Sequence, residues 1–328
     1  MTGSPIPTPR TGLFGVPFLA EALLLALAVA AYFLFPYNLG FLTRILIMMI
    51  FVLSLDLVLG FAGITTLGQA ALYGAGAYAA GLFAVHVWAD PVAGLIVGAV
   101  AGALVALVSG LVLMRARGLT LLMLSIAVAQ VLQEGANKAR DITGGADGLR
   151  GIRTGPVLGL WQFDFVGKTG FWYALAVLCV VFALLRLVTA SPFGLSLRGI
   201  HESPARMAAI GTPVYWRLVA AYALGGAIAG LAGALAAQIT MLVSLEVFSF
   251  TLSAEALIML ILGGAGRLYG AVIGTAIFMA VHHTAAAADP FNWLFVIGGL
   301  VLAVIFFVPA GLLGLPPALA RLIRVGRG

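Results

Sequence analysis

Ionisable and amide side chains are scarce in this chain, so each one inside an apolar run is a candidate for chemistry. Asp56 and Glu255 are two such carboxylates, with Gln69, Gln130 and Gln238 as amide companions. Groups of this kind within a membrane mark substrate or ion paths and proton relays. Each also has an ordinary alternative. Asp56 stands near a helix end and can reach the membrane surface, and Glu255 stands in a first helical turn, where the helix dipole favours an acid. Enzymatic chemistry finds little to use. There is no GxxxxGK[ST] phosphate loop, no GxSxG elbow and no pair of catalytic carboxylates. His86, His201, His282 and His283 are scattered, and His282-His283 are adjacent rather than one turn apart as in HExxH. The lone Cys179 offers neither a disulfide framework nor a cysteine metal cluster. The residues predict no enzyme, and neither a metal nor a cofactor held by this chain.

The elements that must position these groups are set by composition. Of 328 residues, 63% are hydrophobic and 9% charged, with a mean hydropathy of +1.16. Soluble domains carry about 25% charged residues, so too little polar surface is available for one. Apolar runs long enough to cross about 30 Å of hydrocarbon recur throughout, without the alternation of barrel strands. The prediction is an all-α polytopic membrane protein of about ten transmembrane or re-entrant helices. A net charge of +6 would point to nucleic acid in a soluble chain; here arginine reads as a topology signal.

In chain order, residues 1–17 form a tail, 18–309 a transmembrane domain and 310–328 a basic tail. Helices are expected at about Phe18–Phe35, Phe41–Leu59, Leu67–Trp88, Val92–Met114, Leu119–Ala136, Gly170–Val188, Tyr215–Leu242, Leu252–Leu262, Leu268–Ala287 and Phe291–Val308. Ala28-Val29-Ala30 mimics a signal cleavage site, but its positive flank is weak and distant, so the run is taken as a helix. Thr65 and Thr66 are available to cap the third. Small-residue stripes at Gly94, Gly98, Gly102, Ala106 and Gly110, at Gly225, Ala229, Gly233 and Ala237, and at Gly266, Gly270 and Gly274 predict close helix packing. Leu59-Gly60-Phe61-Ala62-Gly63 echoes Leu262-Gly263-Gly264-Ala265-Gly266, as broken helices do in transporters built from repeats.

An even number of crossings places both termini on one side. If that side is the cytoplasm, Arg10, Arg115, Arg117, Arg186, Arg198, Arg206, Arg217, Arg267, Arg321, Arg324 and Arg327 fall inside, while Asp90, Asp141, Asp147, Asp164, Glu246 and Asp289 fall outside. Lys138, Arg140, Arg150, Arg153 and Lys168 dissent, sharing one outer loop at 138–169. Within that loop Thr143, Gly144, Gly145, Asp147 and Gly148 form a compact stretch whose glycines imply tight turns. It reads either as an ordinary turn, or as a contact for a binding protein or part of an outer gate.

The polar island at 190–214 is not built like a linker. Pro192 ends the helix before it, Leu195–Ile200 suits a short interfacial helix, and Ser203 with Pro204 starts another that Gly211 and Pro213 stop. A small, blunt, Ala-rich helix outside the bilayer fits a partner's groove.

These residues resemble a known family. Glu202, Ala205, Ala208-Ala209 and Gly211 are similar to the coupling segment of ABC-importer permeases. The runs LGFAGITTLGQAALYGAGAY, DITGGADGLRGI, PFGLSLRGIHESPARMAAIGTPVYWRLVAAYALGGAIAGLAGAL and SAEALIMLILGGAGRLYGAVIG resemble branched-chain amino-acid permease subunits, in family order over most of Leu59–Gly274. The resemblance implies a heteromeric importer of the cytoplasmic membrane. It would comprise this permease, a paralogous permease, two ATP-binding subunits that use ATP, and a periplasmic or lipid-anchored binding protein. Coupling would fall to Arg198, Glu202, Ala205, Ala208 and Gly211, and the pathway to Asp56, Gln69, Gln130 and Glu255. Relatives carry branched-chain amino acids, urea, short amides or aromatic acids. At Ser203-Pro204-Ala205-Arg206 the family pattern is more acidic, which leaves the substrate class open. An ion-coupled secondary transporter, using Asp56 or Glu255, and a passive channel are the rival classes.

Overall fold

The computed structural model describes residues 26–34, 37–156, 167–288, 295, 298, 299 and 302. Residues 26–34 are helical (α1). They are followed by α2 (Leu39–Leu55), α3 (Gln69–His86), α4 (Pro91–Leu113), α5 (Leu119–Lys138), the short α6 (Arg140–Thr143) and α7 (Lys168–Ala190). Then come α8 (Pro192–Glu202), α9 (Pro204–Ala209), α10 (Val214–Thr240), α11 (Phe250–Gly263) and α12 (Leu268–Ala288). Among the described residues there is no strand, and six helices are long and apolar enough to cross a membrane: α2 with its continuation to Phe61, α4, α5, α7, α10 and α12. The expected first helix is described only over 26–34, and of the expected last one only Phe295, Gly298, Gly299 and Leu302 are described, all helical.

The 27-residue α10 is the axis of the fold. Its glycines remove the side chains that would hold neighbours away, so backbones touch. A Cβ at Gly230 would collide with the Gly98 carbonyl of α4 and crowd Gly102, and one at Gly233 would strike the Tyr73 carbonyl of α3. Gly102 reciprocates against the Gly226 carbonyl and Gly76 against Gly230. The predicted α4 stripe is therefore the α10 contact. On α10 the predicted stripe faces α2 and α3, where Gly225 meets Val58 and Gly233 meets Tyr73, while Gly226 and Gly230 make a second stripe toward α4. The third predicted stripe joins α12 to α11, since Gly270 and Gly274 lie against Gly263 and the Met259 carbonyl.

Hydrogen bonds define the two ends of the bundle. At one, the Tyr215 hydroxyl donates to the Leu111 carbonyl (2.7 Å), joining the start of α10 to the end of α4 beside α8 and α9. At the other, Gln238 Nε2 donates to the Pro91 carbonyl (2.7 Å), and Leu149 and Val243 exchange backbone hydrogen bonds at 2.8 and 3.2 Å. Arg115, Arg117, Arg186, Arg198, Arg206, Arg217 and Arg267 follow or border elements of the first end, as the charge pattern predicts.

The short helix α11 now has a clear course. Val243 is tied to the far end, while Gly266 lies against Gly60 at the island end, so the segment between them crosses. Extended backbone, a 3-10 turn (Leu245–Phe248) and the 14-residue α11 share the crossing. Ser249 caps α11 by accepting from the Leu252 amide at 3.2 Å.

Close glycine packing leads to a first expectation. Gly230→Leu should destabilise the protein by about 1–3 kcal/mol through overpacking. Gly135→Ala, inside α5 where an added Cβ meets nothing, should cost no stability and can raise it by up to about 1 kcal/mol. Thermal unfolding in detergent measures both.

Candidate functional site

The site forms where α2 breaks. From Asp56 to Phe61 the helix widens into a π turn, a device frequent at functional positions. Asp56 is 0% exposed, enclosed by the protein rather than open to its surface. Its Oδ1 accepts from the Gly266 amide at 2.7 Å, while Oδ2 is buried with no hydrogen-bond partner. Gly60 fits between these groups: a Cβ there would collide with Asp56 Oδ1 and the Gly266 amide. Two glycine breaks that echo each other in sequence thus meet in space, joined by one carboxylate. Gly266 and Gly63 both take left-handed backbone, at φ +78° and +72°.

The amides of the polar linker after the break are satisfied by serines from elsewhere. The Leu67 amide donates to Ser125 Oγ of α5 (3.2 Å) and the Ala70 amide to Ser253 Oγ of α11 (3.0 Å). Thr66 Oγ1 accepts from the Gly68 amide at 3.1 Å, ahead of α3, and the first turn of α3 takes its side-chain cap from Ser253 instead. Gln69, 0% exposed, donates through Nε2 to Ser54 Oγ at 3.0 Å, and its Oε1 is buried without a partner.

The other intramembrane candidates disperse. Gln238 is a packing group, accepting from the Tyr173 hydroxyl at 3.2 Å and donating to Pro91. Gln130 is exposed on α5, in a stripe with Met123, Ala127, Val131 and Glu134. Glu255 is half-buried and lies two residues further into α11 than predicted, in its second turn, because that helix begins at Phe250. Arg44 of α2, which the sequence reading passed over, acts electrostatically on both Glu255 and His282.

The island folds as two helices. Ser191 both ends α7 and caps α8, its Oγ accepting from the Gly194 amide at 3.4 Å, so α8 starts earlier than the predicted Leu195. Leu197 and Ile200 bury one face of α8, at 0% and 2% exposure. Ser203 Oγ caps α9 in the same way, from the Arg206 amide at 3.4 Å, and Gly211 terminates it at φ +86°. Both ends of α9 match the expectation. None of its residues is buried, and Ala205, Ala208, Glu202 and Gly211 are all exposed. Arg198 is exposed too, but its guanidinium sits over the Phe61 ring at 5.0 Å. Beside it, His201 Nδ1 donates to the Gly60 carbonyl at 3.1 Å. The scattered histidines of the sequence gave no such hint; the available signal was the three-residue spacing from Arg198, which puts both on one helix face.

At the far end, Thr143 Oγ1 donates to the Ala136 and Ala139 carbonyls (2.5 and 2.8 Å) and accepts from the Gly145 amide at 3.3 Å. Gly144, Gly145 and Gly148 all have positive φ. Leu149 and Ile152 pack with Tyr78, Val243 and Phe248, so this stretch is a folded cover over α3 and α10 rather than a free turn. Asp147 remains exposed on it.

A family model described as "Branched-chain amino acid transport system / permease component" matches residues 37–305. The chain belongs to that family. It is 27% identical over 318 residues to the high-affinity branched-chain amino acid transport system permease protein LivM of Escherichia coli (strain K12), covering 88% of this chain and 73% of the relative. The Salmonella typhimurium protein of the same name is also 27% identical, over 83% of this chain and 68% of its own length. A probable branched-chain amino acid transport permease protein LivM of Methanocaldococcus jannaschii is 26% identical, over 59% of this chain and 58% of the relative. No solved structure matches. With six helices among the described residues long and apolar enough to span a membrane, and with this membership, the chain is a multi-pass membrane protein of a transport permease family.

For this permease the Asp56 contact yields an expectation. Asp56→Ala strands the part-buried Gly266 amide and should cost about 1–3 kcal/mol. Asp56→Asn keeps an acceptor oxygen and should cost less. Melting temperatures of the purified variants decide it; equal losses would mean that the charge, not the hydrogen bond, matters.

Proposed function

We propose that this chain is the membrane permease subunit of an ATP-driven importer for branched-chain or other hydrophobic amino acids. It works by alternating access, with both termini in the cytoplasm of a cell bounded by a cytoplasmic (inner) membrane. The carrying observation is α9, capped at both ends, with no buried residue, and held outside the bundle on α8. A helix that contributes nothing to its own core is a docking element, and its alanines give a close-fitting face.

The partners are a paralogous permease, two ATP-binding subunits and a periplasmic or lipid-anchored binding protein. ATP is used by the partners, and this chain holds no cofactor. Glu202, Ala205, Ala208 and Gly211 meet the ATPase, while Arg198 faces inward to Phe61. Asp56, Gln69, Gln130 and Glu255 serve the pathway. A glutamine exposed at membrane depth is costly against lipid, so the Gln130 stripe of α5 faces the second permease or the path between the two. The amino-acid reading draws support from the names of the LivM relatives. The folded stretch from Thr143 to Gly148 suits contact with the binding protein.

Ala208→Trp tests this reading. The residue is exposed, so the variant should insert and fold normally, yet lose co-purifying ATPase subunits and uptake of labelled leucine. Normal uptake would overturn the docking role.

A further inference from the structure

The contact between the island and the break of α2 has a consequence for how movement passes between them. α8 is a rigid lever: Leu197 and Ile200 fix one face, Ser191 caps its start, and α9 folds back so that Met207 lies against Gly199. The last turn of that lever touches the break twice, through Arg198 over Phe61 and His201 Nδ1–H on the Gly60 carbonyl. The π turn shifts the backbone ladder here: Ala62 N–H pairs with Leu57, Gly63 with Leu59 and Ile64 with Val58. Gly60 keeps a carbonyl that a side chain can take. Space has been kept for the ring as well, since a Cβ at Gly63 would lie 3.0 Å from the His201 ring carbons. Directly behind Gly60 stand Asp56 Oδ1 and the Gly266 amide, the junction with the second break.

We propose that His201 is the positioning residue that transmits displacement of α9 into both glycine breaks, moving the Asp56–Gly266 junction as one unit. The order is α9, α8, His201, Gly60, then Asp56 and the start of α12. This rests on the docking role of α9 proposed above. Arg198 guides the approach by stacking on Phe61, whereas the directional hydrogen bond of His201 registers the lever against a backbone that can rearrange.

The test compares wild type, His201→Ala and His201→Asn, in the full chain co-purified with its ATPase subunits and reconstituted in nanodiscs. Asparagine can place a side-chain N–H near that of Nδ1. Hydrogen–deuterium exchange at the amides of Ala62, Gly63 and Ile64 reads the contact itself. ATPase co-purification reads docking, and leucine uptake with substrate-stimulated ATP hydrolysis reads coupling. For His201→Ala the expected result is faster exchange at those amides, intact co-purification, and a loss of about tenfold in uptake, within the usual range of coupling between sites. His201→Asn should restore all three toward wild type. Unchanged exchange and uptake in His201→Ala overturns the inference while leaving the docking role standing. Exchange that rises while uptake stays normal also overturns it, reducing the contact to local packing. Absence of ATPase subunits from the wild-type preparation overturns the proposed function instead.

Discussion

Backbone-to-backbone contact along α10 is the constraint on which the rest of this molecule depends. In hydrocarbon there is no hydrophobic gain from pressing one apolar helix against another, so dispersion at close range must hold the bundle. Gly226 and Gly230 against Gly98 and Gly102, and Gly233 against Tyr73, bring three helices to a separation that any side chain would forbid. The centre of the bundle is thereby closely packed, and the helices are interrupted away from it, at Asp56–Phe61 and at residues 264–267.

Those interruptions carry their own cost, because an unpaired backbone group in a membrane has no water to turn to. The structure answers with borrowed partners: Ser125 and Ser253 for the linker before α3, Asp56 for Gly266, His201 for Gly60. Each bond bridges two different elements. Breaking a helix therefore creates a joint and not merely a gap, and a joint of this kind has a partner on each side that can pull on it.

The island reaches the joint with side chains from one face of α8, while α9 presents its other surfaces outward. An exposed helix without a core and a buried carboxylate with one unpartnered oxygen are both unusual expenditures of stability in a membrane protein. They lie at the two ends of one continuous set of contacts.

The chain's sequence by itself determined that it spans a membrane through helices, where most of them lie, which stripes would pack, and how α9 begins and ends. These follow from local chemistry: hydrophobic length, the spacing of glycines, a serine before a proline, a glycine that tolerates left-handed backbone. It also marked the two glycine breaks as similar. Only the tertiary structure decided that Gly60 and Gly266 would touch, that Asp56 would be sealed between them, and that Gln238 would serve packing while Gln130 would face outward. It alone gave Ser253 to Ala70 and His201 to Gly60, partners 183 and 141 residues apart. No periodicity encodes such pairings, because they are set by how whole helices cross and not by what any one of them prefers. The polar island on which the functional reading turns is a case in point: its helices were written locally, but its grip on the α2 break exists only once α8 and α2 lie side by side.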